Sequence, residues 1–145
     1  QGFMLVELPG RFQVLPGRPT VVLDVAHNPQ AAGVLNENLA SMGFFPETWA
    51  VIGMLADKDV AGVVRLLRDR VDHWVVASLP GPRGLDAQGL AVILRECGVG
   101  GDISECASPQ EAYALARGQA AEGDRIVVFG SFLTVADVLA ARKAP

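Results

Sequence analysis

Short apolar runs alternate with longer segments of helical period along most of the chain. We predict strands at residues 20–25, 49–54, 73–79, 103–107 and 125–130, which are rich in Val and Ile and mostly apolar at successive positions. Strands of a parallel sheet that helices cover on both sides have this composition, because neither face of such a sheet meets water. The pattern therefore predicts a buried parallel sheet.

A further short strand is predicted at residues 12–15. The tetrapeptide Pro16-Gly17-Arg18-Pro19 separates it from the next strand, and Pro and Gly in such a stretch favour a turn. Because the connection is short, it suits an antiparallel hairpin at the edge of the sheet.

A helix is predicted after each long strand. The first begins at Asn28-Pro29, where Asn is a good cap and Pro suits the first turn, and it ends near residue 42. The fourth begins at Ser108, with Glu111 three residues later to complete a capping box. The other helices are predicted at residues 60–71, 87–97 and about 132–141.

Repeated strand–helix units require right-handed crossovers and give an open sheet with helices on both faces. We therefore predict an α/β, Rossmann-like fold, with a mostly parallel twisted sheet of about six strands and an antiparallel strand at its start. Residues 9–145 suit one domain of this kind. Gln1 is not an initiator methionine, and we interpret residues 1–8 as a linker from a domain upstream.

Composition narrows the classes of partner. The chain has 145 residues, half of them hydrophobic, so one core can form without disulfides. Its net charge of −4 disfavours nucleic acid, which binds basic surfaces, but leaves room for a small anion held by local groups. No apolar run is long enough to span a bilayer. We therefore expect no membrane partner and a cytoplasmic location, where Cys97 and Cys106 stay reduced.

Sheets of this kind bind ligands in the loops at the carboxyl ends of their strands. The first such loop holds Asp24, inside an apolar run, and His27, beside a predicted helix start. A buried carboxylate needs partners such as backbone amides or ligand hydroxyls, and helix starts attract anions. The residues alone allow a ligand site, but they also allow an Asp that bonds its own loop beside a His that only packs.

Three later loops carry further candidates. Lys58 lies between two acids at a helix start, Arg83 lies in a stiff Pro-Gly-Pro turn, and Ser131 follows Gly130. Arg83 suits a carboxylate or phosphate, whereas Ser131 with nearby N–H groups suits a substrate carboxylate. Each residue also has an ordinary alternative, as a solvated side chain or a helix cap.

Self-sufficient catalytic motifs are missing from the sequence. It contains no G-x-x-x-x-G-K-[S/T] phosphate loop, no G-x-G-x-x-G, no nucleophile elbow and no HExxH. The chain has two histidines, so a histidine-rich metal centre is not expected. The loops therefore suit anions, but the apparatus for phosphoryl transfer is incomplete.

Five short motifs occur in order along nearly the whole chain: LPGRF from residue 8, DVAHNP from residue 24, IGMLADKD from residue 52, GPRG from residue 81 and GSFLTV from residue 130. Each is only moderately specific, but the ordered set resembles the carboxyl-terminal domain of bacterial folylpolyglutamate synthases, which are often bifunctional with dihydrofolate synthase. The resemblance implies a Mur-ligase-type architecture, in which this domain closes over a larger domain that holds the phosphate loop.

The reaction that this resemblance implies is ATP-dependent addition of L-glutamate to dihydropteroate or to a folate such as tetrahydrofolate. ATP phosphorylates the acceptor carboxylate, and the amino group of glutamate then displaces phosphate. By the same resemblance, Arg11 contacts the nucleotide phosphates, Asp24 binds ATP at its ribose end, His27 lies near the acyl phosphate or the glutamate, and Ser131 holds the glutamate. Lys58, Arg83 and Thr134 match no defined role.

The resemblance also implies what lies outside this chain. The Mg²⁺ ligands and the cradle for the β- and γ-phosphates belong to the upstream ATPase domain, which is the expected partner. We therefore expect the isolated chain, a monomer, to fold but to have no ligase activity.

Two alternatives remain at this stage. The first is the carboxyl-terminal domain of a muramyl-peptide ligase, although the DVAHNP string favours the folate branch. The second is a non-catalytic, doubly wound nucleotide-binding module. A receiver-like module needs an aspartate after its third strand, where this chain has Leu79-Pro80.

Overall fold

A computed structural model describes residues 12–143 of the chain, and the side chains of residues 12–142. The strands are β1 (Gln13–Leu15), β2 (Thr20–Leu23), β3 (Thr48–Ile52), β4 (His73–Ala77), β5 (Asp102–Cys106) and β6 (Arg125–Phe129). The helices are α1 (Pro29–Ser41), α2 (Val60–Leu67), α3 (Ala87–Glu96), α4 (Pro109–Gln119) and α5 (Phe132–Lys143).

The six strands form one sheet in the order β1-β2-β6-β3-β4-β5. The β1–β2 pair is antiparallel, and the four other neighbouring pairs are parallel. The predicted α/β, Rossmann-like fold with an antiparallel strand at its start is therefore confirmed. The position of β6, between β2 and β3, had no counterpart in the sequence analysis.

Helices cover both faces of the sheet. One apolar cluster joins the sheet to α1, α2 and α3, and a second joins its other face to α4 and α5. Successive residues of β2 alternate between the clusters, with Val22 in the first and Val21 and Leu23 in the second. The chain moves in one direction from β2 to β5 and reverses to reach β6, so right-handed crossovers place α4 on the opposite face from α1–α3.

Polar side chains cap the helices as the sequence predicts. Asn28 Oδ1 accepts from the N–H of Ala31 at 2.8 Å, and Ser108 Oγ accepts from the N–H of Glu111 at 3.2 Å. Glu111 reaches back to the N–H of Ala107, one residue before the cap. The starts of α1 and α4 on the carboxyl edge of the sheet are thereby held in place.

The predicted element boundaries need small corrections. The apolar runs continue past the strands because Met54 and Leu79 are buried in loops after β3 and β4. The second helix ends at Leu67, not at residue 71, and a turn follows in which the N–H of Arg70 bonds the carbonyl of Leu67. Arg68, the first residue after α2, donates from Nη1 to the carbonyl of Cys97, the residue that follows α3, at 2.5 Å.

At the amino edge of the sheet, the buried guanidinium of Arg125 joins three elements. Its Nη1 donates to the carbonyl of Leu39 at 2.8 Å, and its Nε and Nη2 donate to Thr48 Oγ1 at 3.1 and 3.0 Å. Burial lowers the pKa of Arg125, the nearby Arg70 lowers it further, and Asp72 opposes both. These bonds hold α1, β3 and β6 together at the edge opposite the candidate site.

Both cysteines are free thiols, Cys97 buried and Cys106 half-buried. Burial raises the pKa of the Cys106 thiol, and Glu111 raises it further. Within residues 12–143, no helix combines the length and the apolar character that a membrane crossing requires.

Candidate functional site

The carboxyl ends of β2, β6 and β3 lie side by side. The chain leaves β2 and β3 towards one face of the sheet and leaves β6 towards the other. A crevice opens where neighbouring strands send their helices to opposite faces, and open α/β sheets bind ligands in that crevice.

The first cavity at this edge has a volume of about 640 Å³ and lies between the loop after β2 and the first turns of α1. Its walls include Phe12, Asp24, Val25, His27 and Asn38. Apolar walls with a few polar groups are typical of small-molecule sites.

A second cavity, of about 340 Å³, lies between the loops after β2, β3 and β6. Its walls are formed by Val25, His27, Leu55, Lys58, Gly130, Ser131 and Phe132. Val25 and His27 line both cavities, so the two spaces lie on either side of these two residues.

Asp24 is half-buried at the end of β2. Its Oδ1 accepts from the N–H of Ala26 at 2.9 Å. Burial raises the pKa of Asp24 from 3.8 to about 6, although the bond from Ala26 partly opposes this rise. The carboxylate therefore predominates at neutral pH, and its remaining lone pairs can accept from ligand hydroxyls.

His27 is oriented by its own loop. Its Nδ1 lies 3.0 Å from the carbonyl oxygen of Val25. Because a carbonyl only accepts, Nδ1 carries a proton, and Nε2 remains for a ligand. The residue lies directly before Asn28, the cap of α1, where free N–H groups favour anions.

Ser131 caps α5, and its hydroxyl contacts Thr134 through two atoms. Ser131 Oγ accepts from the N–H of Thr134 at 3.1 Å and also lies 3.1 Å from Thr134 Oγ1. Thr134 Oγ1 in turn donates to the carbonyl of Gly53 at 2.9 Å. The first turn of α5 is therefore attached to the end of β3.

This attachment requires close approach of two backbones. Gly130 has a φ of 118°, and a Cβ atom there would lie 2.2 Å from the carbonyl oxygen of Gly53. A Cβ atom on Gly53 would lie 2.8 Å from Thr134 Oγ1. Glycine is therefore needed at both positions.

Lys58 and Arg83 have different surroundings. Lys58 lines the second cavity. Arg83 forms an exposed ion pair with Asp57 at 3.0 Å and does not line either cavity. The hydrogen bond from Arg83 lowers the pKa of Asp57. Arg83 thus joins the loops after β3 and β4, which also share a bridge between Leu55 and Gly84.

The structure brings Asp24, His27, Lys58 and Ser131 to one edge of the sheet. Arg11, the candidate phosphate contact, lies outside the described residues. Across residues 12–143, no group of three or more His, Cys, Asp and Glu side chains is placed to hold a metal ion.

The apolar walls of the crevice are not distinguished in the sequence from core residues. Phe12, Val25, Leu55 and Phe132 line the cavities, but in the sequence they are ordinary apolar residues. One signal was present in the sequence: in the GSFLTV string an aromatic residue, Phe132, follows the capping Ser131. In the structure, Phe132 is 54% exposed.

The match to a family model decides the relationship of this chain. The model for the "Mur ligase, glutamate ligase domain" (Mur_ligase_C) matches residues 10–132. The chain belongs to this family. As a glutamate ligase domain, it also resembles curated proteins that are much longer than itself.

One curated relative is the dihydrofolate synthase/folylpolyglutamate synthase of Escherichia coli, strain K12. It is 42% identical over 132 residues, which cover 91% of this chain and 30% of the relative. The bifunctional synthase of Haemophilus influenzae is 33% identical over 91% of this chain and 34% of its own length. The glutamate ligase domain therefore spans about a third of these relatives.

Solved structures agree with this relationship. E. coli FolC in complex with ADP, without folate substrate, has a TM-score of 0.84 and 41% identity, covering 94% of this chain and 33% of that one. A bifunctional folylpolyglutamate synthase/dihydrofolate synthase with Mn, AMPPNP and L-glutamate bound has a TM-score of 0.81 and 43% identity, covering 94% and 32%. The Mycobacterium tuberculosis folylpolyglutamate synthase complexed with ADP has a TM-score of 0.82 and 29% identity, covering 94% and 33%.

Proposed function

We propose that this glutamate ligase domain helps an ATP-dependent ligase to add L-glutamate to dihydropteroate, to folates, or to both. The observation that carries the proposal is the pair of neighbouring cavities at one sheet edge, the first lined by Asp24, the second by Ser131 and both by His27. Binding of AMPPNP and L-glutamate by a relative 43% identical to this chain supports the same assignment.

In this proposal the larger cavity receives the nucleotide. Asp24 accepts hydrogen bonds from the ribose hydroxyls, because its carboxylate is the anionic acceptor in a largely apolar space. The volume of about 640 Å³ suits a ligand of nucleotide size. Arg11 contacts the phosphates from the segment before β1.

The smaller cavity receives the incoming glutamate. The N–H groups of Phe132 and Leu133, the first two residues of α5, have no acceptor within their own helix, so they suit a carboxylate. Lys58 supplies a positive charge in the same cavity, which complements the net negative charge of glutamate. Ser131 holds this helix start in position through its bonds to Thr134.

His27 is placed where the two ligands meet. In its imidazolium form, with a proton on both ring nitrogens, His27 can donate from Nε2 to an anionic oxygen of the acyl phosphate or the glutamate, since Nδ1 is committed to Val25. In the proposed reaction, the acceptor carboxylate takes the terminal phosphoryl group of ATP. The amine of glutamate attacks the acyl carbon, and the tetrahedral intermediate expels phosphate. Positioning two anions in a dry cleft supplies much of the rate of such a step.

The rest of the apparatus belongs, in this proposal, to an upstream domain to which residues 1–8 are the linker and residues 9–145 the partner domain. That domain supplies the phosphate loop and the Mg²⁺ ligands, and it closes against this one when substrates bind. We accordingly propose that the chain alone has no ligase activity and that the whole protein acts in the cytoplasm.

The test is to express the longer reading frame that contains this chain and to assay it beside the chain alone. The longer protein should release phosphate from ATP only when both L-glutamate and dihydropteroate or tetrahydrofolate are present. Turnover with a muramyl substrate instead of a pteridine would assign the domain to the cell-wall branch. Turnover by the chain alone would contradict the two-domain arrangement.

A further inference from the structure

The hydroxyl of Ser131 has one proton, and its neighbours decide where that proton goes. Thr134 Oγ1 lies 2.9 Å from the carbonyl oxygen of Gly53, which can only accept. The single hydroxyl proton of Thr134 is therefore committed to Gly53. In the contact of 3.1 Å between the two hydroxyls, Ser131 must then be the donor.

The same count shows what Ser131 has left for a ligand. One lone pair of its oxygen accepts from the N–H of Thr134 at 3.1 Å, and its proton goes to Thr134 Oγ1. A hydroxyl offers one donor and two acceptor positions, so one acceptor position remains. Ser131 lines the smaller cavity although it is only 5% exposed. Towards that cavity it can accept a hydrogen bond but has no proton to donate.

We propose that Thr134 is a specificity-determining positioning residue: by taking the proton of Ser131, it makes Ser131 an acceptor for the amino group of the incoming amino acid. The carboxylates of that ligand are then bound by other groups in the cavity, the first-turn N–H groups of α5 and Lys58. This inference rests on the proposed function and assigns a role to Thr134, which matched none in the sequence.

The surroundings of Thr134 make this arrangement rigid. The side chain is fully buried, and a Cβ atom on Gly53 would come within 2.8 Å of its hydroxyl oxygen. Rotation of the Thr134 hydroxyl away from Gly53 would leave a buried carbonyl without its bond, which is unfavourable. The direction of the two hydroxyl protons is therefore set by the fold, before any ligand arrives.

The test compares L-glutamate with glutarate, a dicarboxylate of the same length that lacks the amino group. The longer protein with ligase activity is assayed for the KM of L-glutamate and for the inhibition constant of glutarate. Thr134→Val removes the hydroxyl, so Ser131 regains a free proton and can donate to a carboxylate. Thr134→Ser keeps a hydroxyl on the same backbone position.

The ratio of the glutarate inhibition constant to the glutamate KM should fall by about tenfold in Thr134→Val, because a hydrogen bond to a charged group is exchanged between the two ligands. Thr134→Ser should keep the wild-type ratio to within about twofold. Thr48→Val serves as the control, since Thr48 is a buried Thr at the opposite edge of the sheet that accepts from Arg125. It should lower the unfolding temperature without changing the ratio.

An equal loss of affinity for glutamate and glutarate in Thr134→Val would show a merely structural role and overturn the inference. An unchanged ratio would overturn it as well, as would a Thr134→Ser variant that behaves like Thr134→Val. If the wild-type protein shows no glutamate-dependent turnover, the proposed function fails first, and this inference fails with it.

Discussion

Nδ1 of His27 donates to the carbonyl oxygen of Val25 across 3.0 Å, a bond within one loop that leaves Nε2 for a ligand on a residue lining two cavities. The bond needs no other element of the fold, so the orientation of the imidazole follows from the DVAHNP loop itself. What the fold adds is the position of that loop beside the start of α5.

Replacing His27 tests its proposed contact with an anion. His27→Ala should lower kcat/KM of the ligase by roughly 10- to 100-fold, as expected for loss of a hydrogen bond to a charged group. Thermal unfolding should change little, because the side chain is half-buried at the rim of the site.

The second histidine of the chain provides the matched control. His73 lies at the amino edge of the sheet, stacked on Trp49 with 4.0 Å between ring centroids, and its Nε2 lies 2.5 Å from Glu47 Oε1. His73→Ala should reduce stability and leave kcat/KM unchanged. Wild-type kinetics in His27→Ala would remove His27 from the site.

Asp24 should make the kcat/KM for ATP depend on pH. Its carboxylate has a pKa of about 6, so kcat/KM for ATP should fall as the pH decreases through about 6, when the ribose loses its anionic acceptor. Asp24→Asn should have a lower kcat/KM for ATP and no inflection near that pH. A wild-type profile that stays level from pH 7 to pH 5 would contradict the role of Asp24.

Ionisation of Asp24, which should favour ATP binding, should lower the stability of the folded chain. The pKa of Asp24 is raised in the folded chain, so its favourable contribution is fully present below its usual pKa of 3.8 and is lost as the pH rises through about 6. At pH 7, the free energy of unfolding of Asp24→Asn should therefore exceed that of the wild type by on the order of 1–2 kcal/mol, allowing for solvent screening of a half-buried group. Urea unfolding at pH 4 and pH 7 measures this gain, which should shrink at the lower pH. An Asn variant that is less stable at pH 7 would contradict the burial effect.

The close approach of Gly130 to Gly53 makes Gly130→Ala a strongly destabilising substitution. The new Cβ atom would lie 2.2 Å from the carbonyl oxygen of Gly53, at a φ of 118° that L residues rarely adopt. The expected loss is about 2–4 kcal/mol in the free energy of unfolding.

Gly118→Ala is the natural comparison for that measurement. Gly118 lies within α4, and a Cβ atom there would meet nothing within 4 Å. Because Ala is the better helix former, this variant should gain up to about 1 kcal/mol. Similar losses in both variants would show that the contact with Gly53 is less tight than described.

Arg83 should affect the pKa of its ion-pair partner, Asp57, but not the rate of the ligase reaction. In Arg83→Ala the pKa of Asp57 should rise towards its usual value, because the hydrogen bond from Arg83 is the largest cause of its lowering. Carboxyl-carbon NMR titration follows this change directly. The kcat/KM for ATP and glutamate should stay at the wild-type level, since Arg83 does not line either cavity. A large kinetic defect would return Arg83 to the list of ligand contacts.

Local pattern predicted most of the fold, because burial on both faces makes the inner parallel strands, β2, β3, β4 and β6, apolar after their first residue. The run at residues 125–130 differs from β6 (Arg125–Phe129) by a single residue. The predicted and observed strand ends differ more where residues beyond the last backbone hydrogen bonds of a strand are still buried, as Met54 and Leu79 are. An apolar run indicates which residues are buried. It does not indicate where the backbone hydrogen bonds of a strand end.

The site was only partly predictable for a different reason. The cap positions of Asn28 and Ser131 are local and were found, but strand order is not written in any local pattern. Insertion of β6 between β2 and β3 is what brings Ser131 to the same cavity as His27. The bonds between Thr134 and Gly53, and between Arg83 and Asp57, join distant segments and required the structure.

In the mechanism proposed above, nucleotide and amino acid meet at the carboxyl edge of this sheet. The most direct test of this arrangement is a crystal structure of the longer protein with a non-hydrolysable ATP analogue and L-glutamate. We expect a ribose hydroxyl within hydrogen-bonding distance of the Asp24 carboxylate, and glutamate in the cavity between His27 and Ser131. Clear density for both ligands away from that edge would contradict it.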